Sequence, residues 1–175
     1  KQTEGRQRAA DVAAPLMQRA PGTWFHGTTS DVDKFTRVGG GNMWGPGVYL
    51  TDNPDTASGY ATGTAGGRIA PSGNAGPNVM PVRVADGELF EMTAPVTPET
   101  LKRVEKALGQ KLDDYTWRGM KNRDLRQVLF TQFTDQAGAN KVLERAGFSG
   151  IVEESATAGP GRTLMVFDPK AISSD

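Results

Sequence analysis

The chain's only histidine, His26, sits in the stretch WFHGTT, followed directly by Gly27 and Thr28. Downstream, GPGVYLTDNPDTASGYA (Gly45 to Ala61) carries Tyr49 and Tyr60, eleven positions apart. His-Gly-Thr puts a hydrogen-bonding ring, a backbone without Cβ and a hydroxyl in successive positions. Gly27 would let a flat ligand come close to its N–H and C=O, a donor beside an acceptor that matches a carboxamide edge. Two tyrosines offer aromatic faces to a flat heteroaromatic ring, and a pyridinium would add cation–π attraction. The constellation suits nicotinamide. Each piece also has a plainer use: a histidine beside Trp24 and Phe25 can be a satisfied structural group, and tyrosines on strands and helices are commonly core residues with one hydrogen bond.

Composition removes several other chemistries. The 175 residues include no cysteine, so there is no disulfide framework, thiol nucleophile or Cys-based metal site. A single histidine argues against a His-rich metal centre, and no metal is expected. Twenty basic and twenty acidic side chains give zero net charge, hence no electrostatic case for a nucleic acid or a membrane surface. Arg68, Arg83, Lys121, Arg123 and Arg126 are candidates for a local basic strip, although scattered basic residues usually face solvent. No G-x-G-x-x-G precedes a helix, no phosphate-loop motif occurs, and no apolar run approaches the roughly 18 residues of a membrane span. A chain opening on Lys rather than Met is expected to be a domain of something longer.

These residues need elements to position them. Residues 1–22 read as an Ala-rich helix, broken near Pro15, or a linker; residues 23–175 form the domain proper. TWFHGTT and VYLT read as short strands. After VYLT, Asp52 or Asn53 can cap a helix whose first residue is Pro54. Val79 to Val84 and Leu89 to Met92 are expected strands about an Asp86-Gly87 turn, with Pro81 marking an edge or a bulge. Three helices follow: one capped by Thr97 with Leu101, Val104 and Leu108 on one face and Gly109 at its end, one marked by Leu125, Val128, Leu129, Gln132 and Phe133, and one marked by Ala139, Val142, Leu143 and Ala146, closed by Gly147. FSGIVEE and TLMVFDP supply the last two expected strands. Strands, then helices, then strands point to an α+β domain.

Taken together, FHGTT, GPGVYLTDNPDTASGYA, GFSGIV and TLMVFDPKAI resemble the ADP-ribosyltransferase superfamily, in the diphtheria-toxin and poly(ADP-ribose)-polymerase-like branch with its His-Tyr-Glu triad. Within that branch the chain is most similar to the small bacterial and phage-encoded transferase domains of polyvalent proteins. The resemblance covers roughly Trp24 to Ile172. It implies a split, two-sheet mixed and antiparallel β core with flanking helices, and NAD as co-substrate. His26 would bond ribose hydroxyls, Gly27 would hold the carboxamide through its backbone, and Thr28 would contact the adenosine side. Tyr49 would line the nicotinamide pocket and Tyr60 would stack on the ring. A position that carries a carboxamide-binding Ser in many relatives is Ala57 here, leaving Ser58 as the alternative.

One departure concerns chemistry. The family's glutamate opens the last strand, and TLMVFDP puts Thr163 there. Cleaving the nicotinamide–ribose bond passes through an oxocarbenium-like state, which a carboxylate stabilises and a threonine cannot as a charge. Three readings stay open: a weak or substrate-assisted mono-transferase, a glutamate replaced in this chain, or another acid, with Glu153 and Glu154 nearest. The implied function is a mono-ADP-ribosyltransferase, an effector or toxin domain acting in its own or a target cell's cytoplasm after secretion or phage delivery. Its acceptor is a macromolecule, a protein being favoured over a nucleic acid, and no membrane is involved. The alternatives are a module that binds NAD or ADP-ribose without turnover, and a purely structural piece.

Overall fold

The computed structural model describes residues 23–28, 44–62, 78–112, 116–154 and 161–174. The strands are β1 (Trp24–Thr28), β2 (Val48–Thr51), β3 (Asn78–Val84), β4 (Glu88–Glu91), β5 (Phe148–Glu154), β6 (Arg162–Val166) and β7 (Ile172–Ser174). The helices are α1 (Pro54–Thr62), α2 (Pro98–Leu108), α3 (Asn122–Val128) and α4 (Gln136–Arg145). The expected helix or linker at 1–22, the glycine-rich loop before Trp44, the loop at 63–77 and most of the loop before β6 lie outside the described residues.

The strands form one seven-stranded sheet in the order β4-β5-β6-β2-β1-β3-β7, mixed because β4 and β5 run parallel. All other neighbours are antiparallel. The α+β class and the mixed pairing hold; the two expected sheets are joined edge to edge into one, and their boundary is visible in its register. β2 pairs with β6 over four positions and β1 with β3 over five, whereas β1 meets β2 only at Phe25↔Thr51. Two half-sheets therefore share a seam one residue pair long.

Alternation decides which face each strand buries. Val48 and Leu50 join Trp24, Val82, Leu89, Val152, Leu164 and Val166 in an apolar cluster that spans the seam on one face. Tyr49 points the other way, against a larger cluster of Trp44, Phe90, Leu125, Leu129, Leu143, Ile151 and Met165 under the helices. Those helices start where capping chemistry places them. Thr97 Oγ1 accepts from Thr100 N at 3.1 Å, Pro98 fills the first position, and Gly109 ends α2 at φ +82°. Asp135 Oδ1 accepts from Gly138 N at 2.7 Å to open α4. The middle helix is irregular: α3 widens into a π-helical turn over Leu129–Phe133.

Two expectations change. Asp86-Gly87 closes no hairpin, because β4 pairs in parallel with β5 at the far edge from β3. Parallel pairing requires a long crossover, and residues 92–147 with α2, α3 and α4 supply it. The strand from TLMVFDP is not the last; after a short 3₁₀ turn over Pro169–Ala171, β7 adds to β3. It covers only Val82–Val84, so Pro81 stands just outside that ladder, where its missing N–H costs least.

Candidate functional site

The seam opens beside His26. Past Phe25↔Thr51 no register joins His26 to Leu50 or Gly27 to Tyr49. His26 bridges the gap instead, with Nδ1 3.1 Å from the Tyr49 carbonyl oxygen. A carbonyl only accepts, so Nδ1 carries the proton and donates, which leaves Nε2 of the neutral ring as the acceptor. Burial pulls the His26 pKa below its ordinary value, and the bond to Tyr49 offsets this only in part. The ring is therefore neutral at pH 7, with Nε2 as its acceptor nitrogen. Gly27 follows on the same strand, half-buried like His26.

Tyr49 is built into the site from beneath. Its hydroxyl accepts from Trp44 N at 2.9 Å and donates to the Gly45 carbonyl at 2.7 Å. Its ring stacks on Trp44 with centroids 6.1 Å apart and planes 24° apart. A flat ligand ring would have to meet the opposite face. The turn that Tyr49 grips needs its glycine: Gly45 has φ +79°, and a Cβ there would lie 2.8 Å from that of Gln136. From inside, Trp44 O accepts from Arg126 at 2.9 Å and from Asn140 at 2.8 Å. The same Arg126 nitrogen donates to Gln136 at 2.7 Å and to Asn140 at 2.9 Å. Burial draws the Arg126 guanidinium down to about 10, against a smaller upward pull from nearby Tyr49, so it remains cationic at neutral pH.

A row of side chains crosses the sheet at the seam. Glu153↔Thr163, Thr51↔Thr163 and Phe25↔Thr51 are register partners, so all four lie on one face. Thr163 is 2 % exposed. Glu153 is bonded to Arg123 at 3.3 Å and, with Trp44, Met92, Arg126 and Gln136, lines a cavity of about 290 Å³. Asp52 at the end of β2 clamps β6 in bidentate fashion, accepting from Arg162 N at 2.7 Å and Arg162 Nε at 2.8 Å. That leaves Asn53 to cap α1, accepting from Asp55 N at 2.9 Å and Thr56 N at 3.2 Å. The helix packs over β1, β2 and β3.

The structure thus joins His26 to Tyr49 directly and sets Thr163 beside Thr51, two residues along β2 from Tyr49. Ala57 is fully buried in α1 and Ser58 is exposed. Thr28 ends β1 and Tyr60 lies in α1; the side chains of both are outside the described residues. Of the basic residues offered as a strip, Arg126 is buried, Arg123 pairs with Glu153, Arg83 and Lys121 are exposed, and Arg68 lies outside the described residues. Sequence reading missed Trp44 and the Arg126–Gln136–Asn140 network beneath it. The available signal was polar residues falling at core spacing on α3 and α4.

No curated protein gives a significant match. One solved structure, titled "Crystal structure of an anti-CRISPR protein", aligns with a TM-score of 0.39 and 9 % identity over 91 % of this chain and 97 % of that one. Residues 18–174 match the family model described as ADP-ribosyltransferase in polyvalent proteins. With that match spanning nearly the whole chain, including the seam, His26 and Thr163, the chain belongs to this ADP-ribosyltransferase family.

Proposed function

We propose that this domain is an NAD-dependent mono-ADP-ribosyltransferase that transfers ADP-ribose to a macromolecular acceptor, a protein rather than a nucleic acid, as an effector domain of a larger bacterial or phage protein. The carrying observation is the His26–Tyr49 closure of the seam. It holds a neutral imidazole with Nε2 as acceptor at the point where two half-sheets part. This fits the hydroxyl-rich ribose of a dinucleotide. His26 accepts from a ribose hydroxyl, and the Gly27 backbone meets the carboxamide. Thr28 contacts the adenosine side, Tyr49 and Tyr60 bracket the nicotinamide, and Ser58, exposed where Ala57 is fully buried, takes the carboxamide contact. NAD supplies the activated ribose, and no residue role here requires a metal.

Calorimetric titration with NAD tests binding, and release of nicotinamide together with label transfer from NAD to proteins in a lysate tests turnover. Absence of binding refutes the proposal. The buried, uncharged Thr163 favours one second reading, an NAD-binding module without turnover. That reading predicts binding lost in Tyr60→Ala with no nicotinamide released by the parent chain.

A further inference from the structure

We propose that Glu153 is the catalytic carboxylate of this domain, acting from the strand beside Thr163 and receiving the acceptor through the cavity it lines. This rests on the transferase reading above. As the nicotinamide–ribose bond breaks, positive charge develops at the ribose carbon, and a fixed negative charge close by is the strongest means of stabilising it. Thr163 carries no charge and is 2 % exposed. Its antiparallel partner on β5 is Glu153. Directly opposed residues project from the same face with Cβ atoms about 4.5–5.5 Å apart, a gap that a glutamate side chain spans. In the row Glu153–Thr163–Thr51–Phe25 it is the only acid. Glu154, the next residue, projects to the opposite face and is exposed.

The surroundings of Glu153 suit a working carboxylate. Its side chain is 17 % exposed, and its partner Arg123 is 46 % exposed at 3.3 Å, which makes a weak tether. On one side lies Thr163; on the other lies the cavity of about 290 Å³ with Trp44, Gln127 and Gln136 in its wall. A nucleophile entering there meets Glu153 before it reaches the ribose carbon. In the reaction the carbon–nitrogen bond of NAD breaks and its electron pair stays on the pyridine nitrogen. A lone pair of the acceptor's O–H or N–H forms the new bond to the same carbon, and Glu153 takes the acceptor's proton. The products are nicotinamide, ADP-ribosylated acceptor and one proton. Thr163 then serves only as a hydroxyl, with the charge one strand away.

The test needs no identified acceptor, because water can take its place: nicotinamide release from NAD is followed with the 175-residue chain, and NAD affinity is measured in parallel. Glu153→Gln keeps the shape and is expected to bind NAD within threefold of the parent while releasing nicotinamide at least about a hundredfold more slowly. Adding Thr163→Glu to that variant is expected to restore release, since it puts a carboxylate back in the same row. An unfolding midpoint near the parent's confirms that the variants fold. If Glu153→Gln releases nicotinamide at the parental rate, the assignment is overturned and the transferase reading stands. If the parent binds NAD without cleaving it and Thr163→Glu alone creates activity, Glu153 is likewise overturned. If the parent binds no NAD, the underlying reading falls, and this one with it.

Discussion

Removing one oxygen atom tests how the Tyr49 wall is held. In Tyr49→Phe the ring and its stack on Trp44 survive, while both hydroxyl bonds, 2.9 Å from Trp44 N and 2.7 Å to Gly45 O, are lost. Each such bond contributes about 0.5–1.5 kcal/mol net, and an orphaned buried N–H costs about 1–3 kcal/mol. Trp44 is 3 % exposed, so its N–H has little water to turn to. The turn does not collapse, because Arg126 and Asn140 still hold the Trp44 carbonyl. A loss of about 2 kcal/mol is therefore expected. At a slope of about 2 kcal/mol per molar urea this lowers the unfolding midpoint by about 1 M. Urea titration followed by tryptophan fluorescence reads this directly, with an unchanged slope showing that only stability moved. NAD affinity should stay within a few fold, since the ring face offered to a ligand is intact. A midpoint within about 0.2 M of the parent's would refute the reasoning and assign the whole turn to the Arg126 network.

Other perturbations separate the remaining contributions. His26 has its folded pKa below the unfolded value of 6.5, so the unfolded chain takes the proton more readily; its stabilisation is complete above pH 6.5 and fades as pH falls through the folded value. The parent's thermal midpoint should therefore drop more steeply than that of His26→Gln below pH 6.5, and parallel curves would count against this. Asp52→Ala cuts both bonds to Arg162, each side chain under a third exposed, and should cost about 1–2 kcal/mol, with clear non-additivity in a double-mutant cycle with Arg162→Ala. Gly150→Ala drives a Cβ into the Met165 backbone carbonyl on β6 and should cost about 3 kcal/mol or more by chemical denaturation. Gly87→Ala would bring a Cβ to 2.8 Å from the Ser149 Cβ, which no side-chain rotation can move, and should also lower the denaturation midpoint measurably.

Local chemistry was the legible part of this fold. Thr97, Pro98 and Gly109 bound α2 because caps act through neighbouring atoms, and sequence displays neighbours. Asn53 could be named as a cap candidate for the same reason; that Asp52 would be drawn away to Arg162, 110 residues on, could not. The Asp86-Gly87 turn misled because turn residues fix a local reversal and say nothing about which strand lies alongside. The partner of β4 was decided by a crossover of three helices. At the site, residue types and the family resemblance group His26 with Tyr49, yet the bond runs to Tyr49's carbonyl, a group every residue carries and no motif marks. Glu153 and Thr163 are ten positions apart in sequence and opposite each other in register, so only strand pairing could distinguish Glu153 from Glu154.

The seam has a consequence for how the molecule can come apart. One half-sheet holds β2, β4, β5 and β6, and the other holds β1, β3 and β7, so the chain passes between them four times. Hydrogen bonding along the seam is minimal, yet no single cut in the backbone yields two pieces that each own a half-sheet. The halves are laced. A protease nick between β3 and β4 should leave the fragments gripping each other under native conditions, and neither half can be expressed as a contiguous segment. Threading thus adds to the apolar cluster across the seam in keeping the two half-sheets together.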